Sequence, residues 1–129
     1  MHVEVYFRSE PIPRPFPFAA HGRNAGALVE FYGTVRGSEA DQPIGGLRYE
    51  AYQPMAELHI RRILDELNAL NRCEAAIVVH RIGEVSVGEA AIYVGISSIH
   101  RQEGFQLLTD FMNRFKKDVP IWKTEVLPC

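Results

Sequence analysis

The spacing of apolar residues along this chain of 129 residues changes repeatedly between a period of two and a period of three to four. Segments with the shorter period, rich in β-branched and aromatic residues, predict strands, and segments with the longer period predict amphipathic helices. Strands are expected at residues 2–8, 27–37, 46–52, 74–83, 90–98 and 119–126, and helices at residues 54–70 and 100–116. With short connections, this order predicts an α+β fold in which helices pack on a mostly antiparallel sheet.

The whole chain, residues 1–129, is expected to form one domain, because its length is near the commonest domain size and no linker or repeat divides it. The last six elements also match the order of a ferredoxin-like split βαβ unit, which is therefore an alternative topology. Each helix is expected to bury one apolar face against the sheet. These faces are Ile60, Ile63, Leu64, Leu67 and Leu70 in the first helix, and Phe105, Leu108, Phe111, Met112 and Phe115 in the second.

Two connecting segments have compositions that predict their structure. Residues 11–17 contain four prolines, which remove backbone donors and favour an extended surface connector. A polyproline ligand for a proline-binding domain is the alternative for this segment. Residues 84–89 contain a glycine that suits a hairpin connection, although residues 85–87 could extend the sheet.

Charge and composition exclude several classes of function. The formal net charge is −2, so binding to nucleic acid would need a strongly local basic patch, and none is expected. No apolar stretch is long enough to span a bilayer, and the charged N-terminus is unlike a signal peptide, so the cytoplasm is the expected location. Cys73 and Cys129 lack the spacing of a disulfide framework or a zinc site.

Basic residues are concentrated at the ends of the predicted elements, where a scaffold usually displays functional groups. All three lysines, Lys116, Lys117 and Lys123, lie within eight positions that also hold the only tryptophan, Trp122. The other basic groups are Arg36 near the end of the second strand, His80 and Arg81 in the fourth strand, and His100 and Arg101 at the start of the second helix.

Each of these groups also has a purely structural explanation. Lys116 and Lys117 would complement the helix dipole, and Arg36 could be a solvated surface charge. His100 and Arg101 could simply flank a capped helix, and His80 could be a buried, hydrogen-bonded side chain. Both sets of explanations stay open at the level of single residues.

The start of the second helix is the best candidate for an anion site. Its free backbone N–H groups lie beside Arg101, which can bind phosphate in a bidentate manner, and His100, which can donate a hydrogen bond. Lys123 follows an apolar stretch, and partial burial would disfavour its charged form, as a general base or amine nucleophile requires. Residues alone therefore predict a small domain that binds a phosphorylated small molecule, with the reaction left open.

Motifs that would indicate a cofactor or an alternative nucleophile are absent from the sequence. There is no Gly-x-Ser-x-Gly elbow, no phosphate-binding Gly-rich loop, no His-Glu-x-x-His motif and no suggestive pair of carboxylates. We therefore expect no metal and no cofactor.

Five segments, in their order and separation, resemble the catalytic subunit of molybdopterin synthase, the MoaE family. The resemblance covers about residues 27–125 and rests on the strings VEFYGTVRG, LRYEAYQPMAE, VVHRIGEVSVGE, SSIHRQEGF and FKKDVPIWKTE. It implies an α/β-hammerhead type of fold and a sulfurtransferase of molybdenum cofactor biosynthesis. Such enzymes convert cyclic pyranopterin monophosphate, or precursor Z, into the dithiolene of molybdopterin. The substrate is thus a pterin monophosphate and the product is the molybdenum-binding pterin.

The resemblance also implies partners and site residues. Both sulfurs come from the thiocarboxylated C-terminus of a small ubiquitin-like subunit, MoaD, and a homodimer of the large subunit forms a heterotetramer with it. Lys116 and Lys123 correspond to the family's two essential lysines and are expected to orient the thiocarboxylate and move protons. The substrate-binding set implied is Thr34, Val35, Arg36, His100, Arg101, Lys116, Lys123, Thr124 and Glu125.

Two features depart from the family pattern. Gly104 replaces the usual alanine, which is expected to cost about 1 kcal/mol of helix propensity and to loosen the helix start. The basic, tryptophan-containing tail of many members is not present after Glu125, so its contact with a neighbouring subunit is expected to be missing. This difference is the main argument for the alternative function, a non-catalytic paralogue that binds a phosphorylated small molecule or the small subunit.

Overall fold

A computed structural model describes residues 1–19 and 22–129, and its elements follow the predicted order closely. The two helices are α1 (Gln53–Asn68) and α2 (Arg101–Asp118). The strands are β1 (His2–Arg8), β2 (Ala27–Thr34), β3 (Ser38–Glu39), β4 (Gln42–Pro43), β5 (Gly46–Ala51), β6 (Ala75–Arg81), β7 (Gly83–Ser86), β8 (Ala90–Ser98) and β9 (Ile121–Leu127).

The strands divide into a four-stranded sheet, a three-stranded sheet and a two-stranded hairpin. The first sheet has the order β1-β6-β8-β2, in which only β1 and β6 run parallel. The second sheet, β7-β5-β9, is antiparallel, and β3 pairs with β4. This arrangement confirms the α+β prediction of helices on a mostly antiparallel sheet. The ferredoxin-like alternative is wrong, because β5 and β9 pair with each other and not with β6 and β8.

Both helices pack on one face of the four-stranded sheet and form the main core. The central strands β6 and β8 are buried along their whole length, as expected for strands covered on both faces. The predicted face of α1 is buried except for Leu70, which lies beyond the helix end and is exposed. The predicted face of α2 is wrong at Phe105, which is 55% exposed, because Gly104 and Leu107 face the sheet instead.

Gly104 is buried where α2 meets the sheet. A Cβ at this position would lie 2.8 Å from the hydroxyl oxygen of Ser98 and 3.0 Å from a methyl group of Val29. The helix start is therefore tightly packed at this glycine, and the expected loosening does not follow from propensity alone.

The proline-rich segment covers the opposite face of the four-stranded sheet. Ile12 is buried there, and the ring of Phe16 stacks on that of Tyr93 with 4.5 Å between centroids. The backbone N–H of Phe16 also donates to the hydroxyl of Tyr32 at 2.7 Å. The segment is therefore a packed cover as well as a connector. Among the described residues, no helix is both long and apolar enough to cross a bilayer.

Candidate functional site

A cavity of about 290 Å³ lies where the end of β2, the β3–β4 hairpin, the three-stranded sheet and the last turn of α2 meet. Elements distant in sequence bring together five of the nine residues that the sequence indicated. These five are Thr34, Val35, Arg36, Lys116 and Lys123. The cavity thus places three side chains of basic type around one space, an arrangement suited to anionic ligands.

The end of β2 is shaped by a β-bulge and a glycine. Gly33 pairs with Ile92 but Thr34 pairs with Ala90, so Ala91 is the extra residue on β8. As a result Ala91 and Ile92 both line the cavity. A Cβ at Gly33 would lie 2.7 Å from a methyl group of Ile92, so only glycine fits without a shift of that wall.

Arg36 is held at the cavity through its buried neighbour Val35. The backbone N–H of Val35 donates to the carbonyl of Glu89 at 3.0 Å, and its carbonyl accepts from Gly88 at 2.9 Å. Gly88 has a φ of +89°, which glycine adopts readily in a turn. Nearby, buried Arg81 pairs with the Glu89 carboxylate at 3.3 Å, and this pair joins β6 to the same turn.

Lys116 reaches the cavity because α2 is anchored just before it. Phe111 and Phe115 are buried in the core and are separated by one helical turn. Lys116 follows Phe115 and is exposed at the cavity wall, whereas the adjacent Lys117 does not line the cavity. Successive side chains of a helix point in different directions, so of these two adjacent lysines only Lys116 faces the cavity.

Lys123 is directed toward the cavity by a second bulge. In the pairing of β5 with β9, Tyr49 faces Lys123 but Arg48 faces Glu125, so Thr124 is the extra residue. Glu125 bonds the Arg48 guanidinium at 3.1 Å, and neither Thr124 nor Glu125 lines the cavity. The expected burial of Lys123 is wrong: its side chain is 49% exposed, because β9 is an edge strand with exposed neighbours.

Glu39 is a site residue that the sequence did not indicate. It lines the cavity, and its carboxylate accepts from the ammonium of Lys123 at 3.4 Å. It ends β3, and the following turn has left-handed conformations at Ala40 (φ 50°) and Asp41 (φ 64°), which are costly for residues other than glycine. A polar loop gives no pattern from which this contact could be predicted.

His80 is a second cavity residue outside the expected substrate-binding set, and its position after an apolar run favours a buried structural histidine. Its side chain is buried yet lines the cavity floor, with Phe115 stacked on one side and Tyr49 meeting it edge-on. Burial lowers the pKa of His80 to about 4, so the imidazole is neutral near pH 7. Burial, together with the charge of Glu39, raises the pKa of Tyr49 and keeps its hydroxyl protonated.

His100 and Arg101 lie at the other end of α2, outside this cavity. With Gln102, Phe105 and Thr109 they line a separate open depression of about 580 Å³. Both side chains are exposed at the helix start, where free backbone N–H groups are available. Arg101 and Lys116 are fifteen positions apart on α2, a distance of about 22 Å along the helix axis, so one chain does not bring the two groups into one site.

The cysteines take no part in either depression. Cys73 is buried, and burial raises the pKa of its thiol to about 11, which keeps it protonated and poorly nucleophilic. Cys129 is free and exposed. Among the residues that the structure describes, the side chains available for chemistry in the cavity are therefore cationic, carboxylate, hydroxyl and imidazole groups.

Sequence comparison identifies related proteins. A sequence model of the MoaE protein family matches residues 14–118. The chain is 38% identical over 104 residues to the molybdopterin synthase catalytic subunit of Thermoplasma volcanium, with 81% of this chain and 76% of that protein covered. It is 39% identical over 102 residues to the protein of the same name from Oryza sativa subsp. indica, with 79% of this chain covered and about half, 53%, of the rice protein.

Solved structures with a similar fold include a molybdopterin synthase and a chain of a molybdopterin-converting factor. The X-ray structure of molybdopterin synthase from Staphylococcus aureus has a TM-score of 0.85 and 34% identity, covering 94% of this chain and 89% of that one. A chain from the complex of subunits 1 and 2 of the Helicobacter pylori molybdopterin-converting factor has a TM-score of 0.72 and 20% identity, covering 98% and 89%. The second likeness shows the shared fold alone.

Proposed function

The chain belongs to the MoaE family, and from that premise we propose that it is the catalytic subunit of a molybdopterin synthase. In this role it transfers sulfur from the thiocarboxylated C-terminus of a small ubiquitin-like subunit to cyclic pyranopterin monophosphate. The observation that carries the proposal is the meeting of Lys116, Lys123 and Arg36 in one cavity. The two β-bulges and the direction of Lys116 on α2 produce this geometry. The sequence resemblance indicates the same three residues.

The cavity residues can be assigned roles in this reaction. Lys116 and Lys123 orient and polarise the thiocarboxylate and move protons as each sulfur is added. Arg36, exposed at the rim, binds an anionic group of the substrate. The Glu39 carboxylate pairs with the Lys123 ammonium at 3.4 Å, so an anion that binds Lys123 competes with this carboxylate. No cysteine is needed, because the reacting sulfur arrives on the partner.

A homodimer would complete the phosphate site. His100 and Arg101 are about 22 Å from Lys116 along α2, so they serve a catalytic cavity only if a second copy brings them to it. Exposed apolar side chains occur on β2, on the β8–α2 connection and in the second turn of α2, and β2 is an edge strand of its sheet. These side chains are Leu28, Phe31, Ile99 and Phe105. The dimer, the MoaD-type partner and the resulting heterotetramer are parts of the proposal, as is a cytoplasmic location.

Thr124 and Glu125 have a different place in this proposal. Because they lie outside the cavity, any contact with substrate requires the partner subunit or a second copy to extend the site. No metal or cofactor of the enzyme itself enters the proposed reaction. The non-catalytic alternative is not favoured, since relatives are named catalytic subunits and both lysines line the cavity.

The test is to mix the purified chain with thiocarboxylated small subunit and precursor Z and to measure molybdopterin. Lys123→Ala and Lys116→Ala should each bind the small subunit yet form little product. Lys117→Ala is the matched control, because this lysine is adjacent to Lys116 but does not line the cavity. Near-wild-type turnover by Lys123→Ala, or absence of product from the wild type, would contradict the proposal.

A further inference from the structure

The floor of the catalytic cavity holds a buried imidazole that the proposed reaction has not used. His80 lies on β6, paired with Ile92 of β8, and both side chains line the cavity. Only 4% of His80 is exposed, whereas Arg36, Lys116 and Lys123 are exposed at the rim. A buried polar side chain at a cavity wall is expected to have each hydrogen-bonding atom either paired or available to a ligand.

The hydrogen bonds of His80 define which ring nitrogen carries the proton. Nδ1 lies 2.7 Å from the carbonyl oxygen of Arg81. A carbonyl can only accept, so Nδ1 is the protonated nitrogen and the neutral ring leaves a bare lone pair on Nε2. Among the described residues, the fully buried side-chain polar atoms without a partner are Arg81 Nε and Glu103 Oε2. His80 Nε2 is not one of these atoms and has no hydrogen-bond partner among the described residues, and since His80 lines the cavity, we infer that Nε2 is accessible from it.

The orientation of this ring is fixed by packing. The Phe115 ring stacks on the imidazole, with 5.9 Å between ring centroids and 16° between ring planes. The Tyr49 ring meets it edge-on, with 5.2 Å between centroids and 69° between planes. The Nδ1 bond to the backbone prevents the ring from flipping without loss of a buried hydrogen bond. The cavity floor therefore presents one preorganised acceptor between aromatic walls.

We propose that His80 is a specificity-determining residue whose Nε2 accepts a hydrogen bond from a ring N–H of the bound pterin. The inference rests on the proposed function and names a contact within the same cavity. A lone pair repels phosphate and carboxylate oxygens, which bind to the cations at the rim instead. The aromatic neighbours Phe31, Tyr49 and Phe115 suit a flat heteroaromatic ring.

Binding measurements with two variants test the contact. His80→Phe keeps a flat ring but removes the acceptor, and should weaken binding of cyclic pyranopterin monophosphate about tenfold. Binding of inorganic phosphate should not change. His80→Gln restores an acceptor and should recover most of the affinity, while circular dichroism and thermal unfolding verify that both variants fold.

A measurement on the wild type avoids any effect of substitution on folding. In protein labelled with ¹⁵N-histidine, the Nε2 signal of His80 should move upfield on addition of the pterin monophosphate, and not on addition of inorganic phosphate. The inference is overturned if the signal responds to phosphate, or responds only to a peptide ending in Gly-Gly.

Failure of this inference is distinguishable from failure of the proposed function. If the wild type makes molybdopterin but His80→Phe binds the pterin as tightly as the wild type, the contact is wrong and the enzyme assignment stands. If the wild type neither binds the pterin nor makes product, both are wrong.

Discussion

We predict that the wild type loses stability at mildly acidic pH and that replacing His80 by Phe removes the part of this loss that His80 causes. The pKa of His80 is lowered by burial from 6.5 to about 4 in the folded chain. As pH falls through 6.5 the unfolded chain binds this proton while the folded chain does not, so protonation favours unfolding. The stability associated with neutral His80 is therefore present above pH 6.5 and is lost progressively toward pH 4.

The size of the effect follows from the two pKa values. Between pH 7.5 and pH 5.0, linkage of this single group lowers the free energy of unfolding by about 2 kcal/mol, and the loss approaches about 3 kcal/mol below pH 4. His80→Phe also loses the Nδ1–H bond to Arg81, which costs about 1 to 2 kcal/mol at every pH. The variant should thus be less stable at pH 7.5 and similar to the wild type at pH 5.0.

Urea unfolding at the two pH values measures the difference directly. His100→Gln is the matched control, since it replaces a histidine whose side chain is exposed at the start of α2. If the wild type and His80→Phe lose the same free energy between pH 7.5 and pH 5.0, His80 is not a buried neutral group and the reasoning is refuted.

Three other features of the structure lead to testable predictions. Glu39→Gln removes the carboxylate that pairs with Lys123 at 3.4 Å, so KM for the pterin monophosphate should fall while kcat does not rise. An increased KM would contradict the idea that Glu39 and the substrate anion compete for Lys123. Gly104→Ala should lower the free energy of unfolding by about 1 kcal/mol, because contact with Ser98 and Val29 outweighs the gain in helix propensity, and a raised Tm would show the reverse. A thiol reagent at pH 7 should label Cys129 rapidly and buried Cys73 only after unfolding; two fast thiols in the native protein would contradict the burial.

Local patterns predicted the helices and strands well. The buried faces of α1 and α2 produce a three-to-four spacing within one segment, so the sequence carries that information without knowledge of the rest of the fold. The exceptions are Leu70 and Phe105, two apolar residues at positions where the apolar spacing continues but no packing partner covers the side chain. Leu70 lies past the end of α1, and Phe105 is on the open side of α2.

The candidate site was only partly predictable. Arg36, Lys116 and Lys123 were indicated by residue type, position at element ends and resemblance to a family. Glu39 was not, because its contact with Lys123 joins residues 84 positions apart through a hairpin and an edge strand. His80 was assigned from sequence chiefly to the core, and the structure adds that one of its faces borders the cavity.

By itself the sequence determined the order of elements, the α+β class and the concentration of lysines near one helix end, because each of these depends on neighbouring residues. Tertiary structure alone decided that β5 and β9 belong to a separate sheet. It also decided that bulges at Ala91 and Thr124 place Ile92 and Lys123 at the cavity wall. It also separated His100 and Arg101 from Lys116 by the length of α2. Strand register and the approach of distant segments depend on packing between residues far apart in the chain, and a local pattern contains no record of that packing.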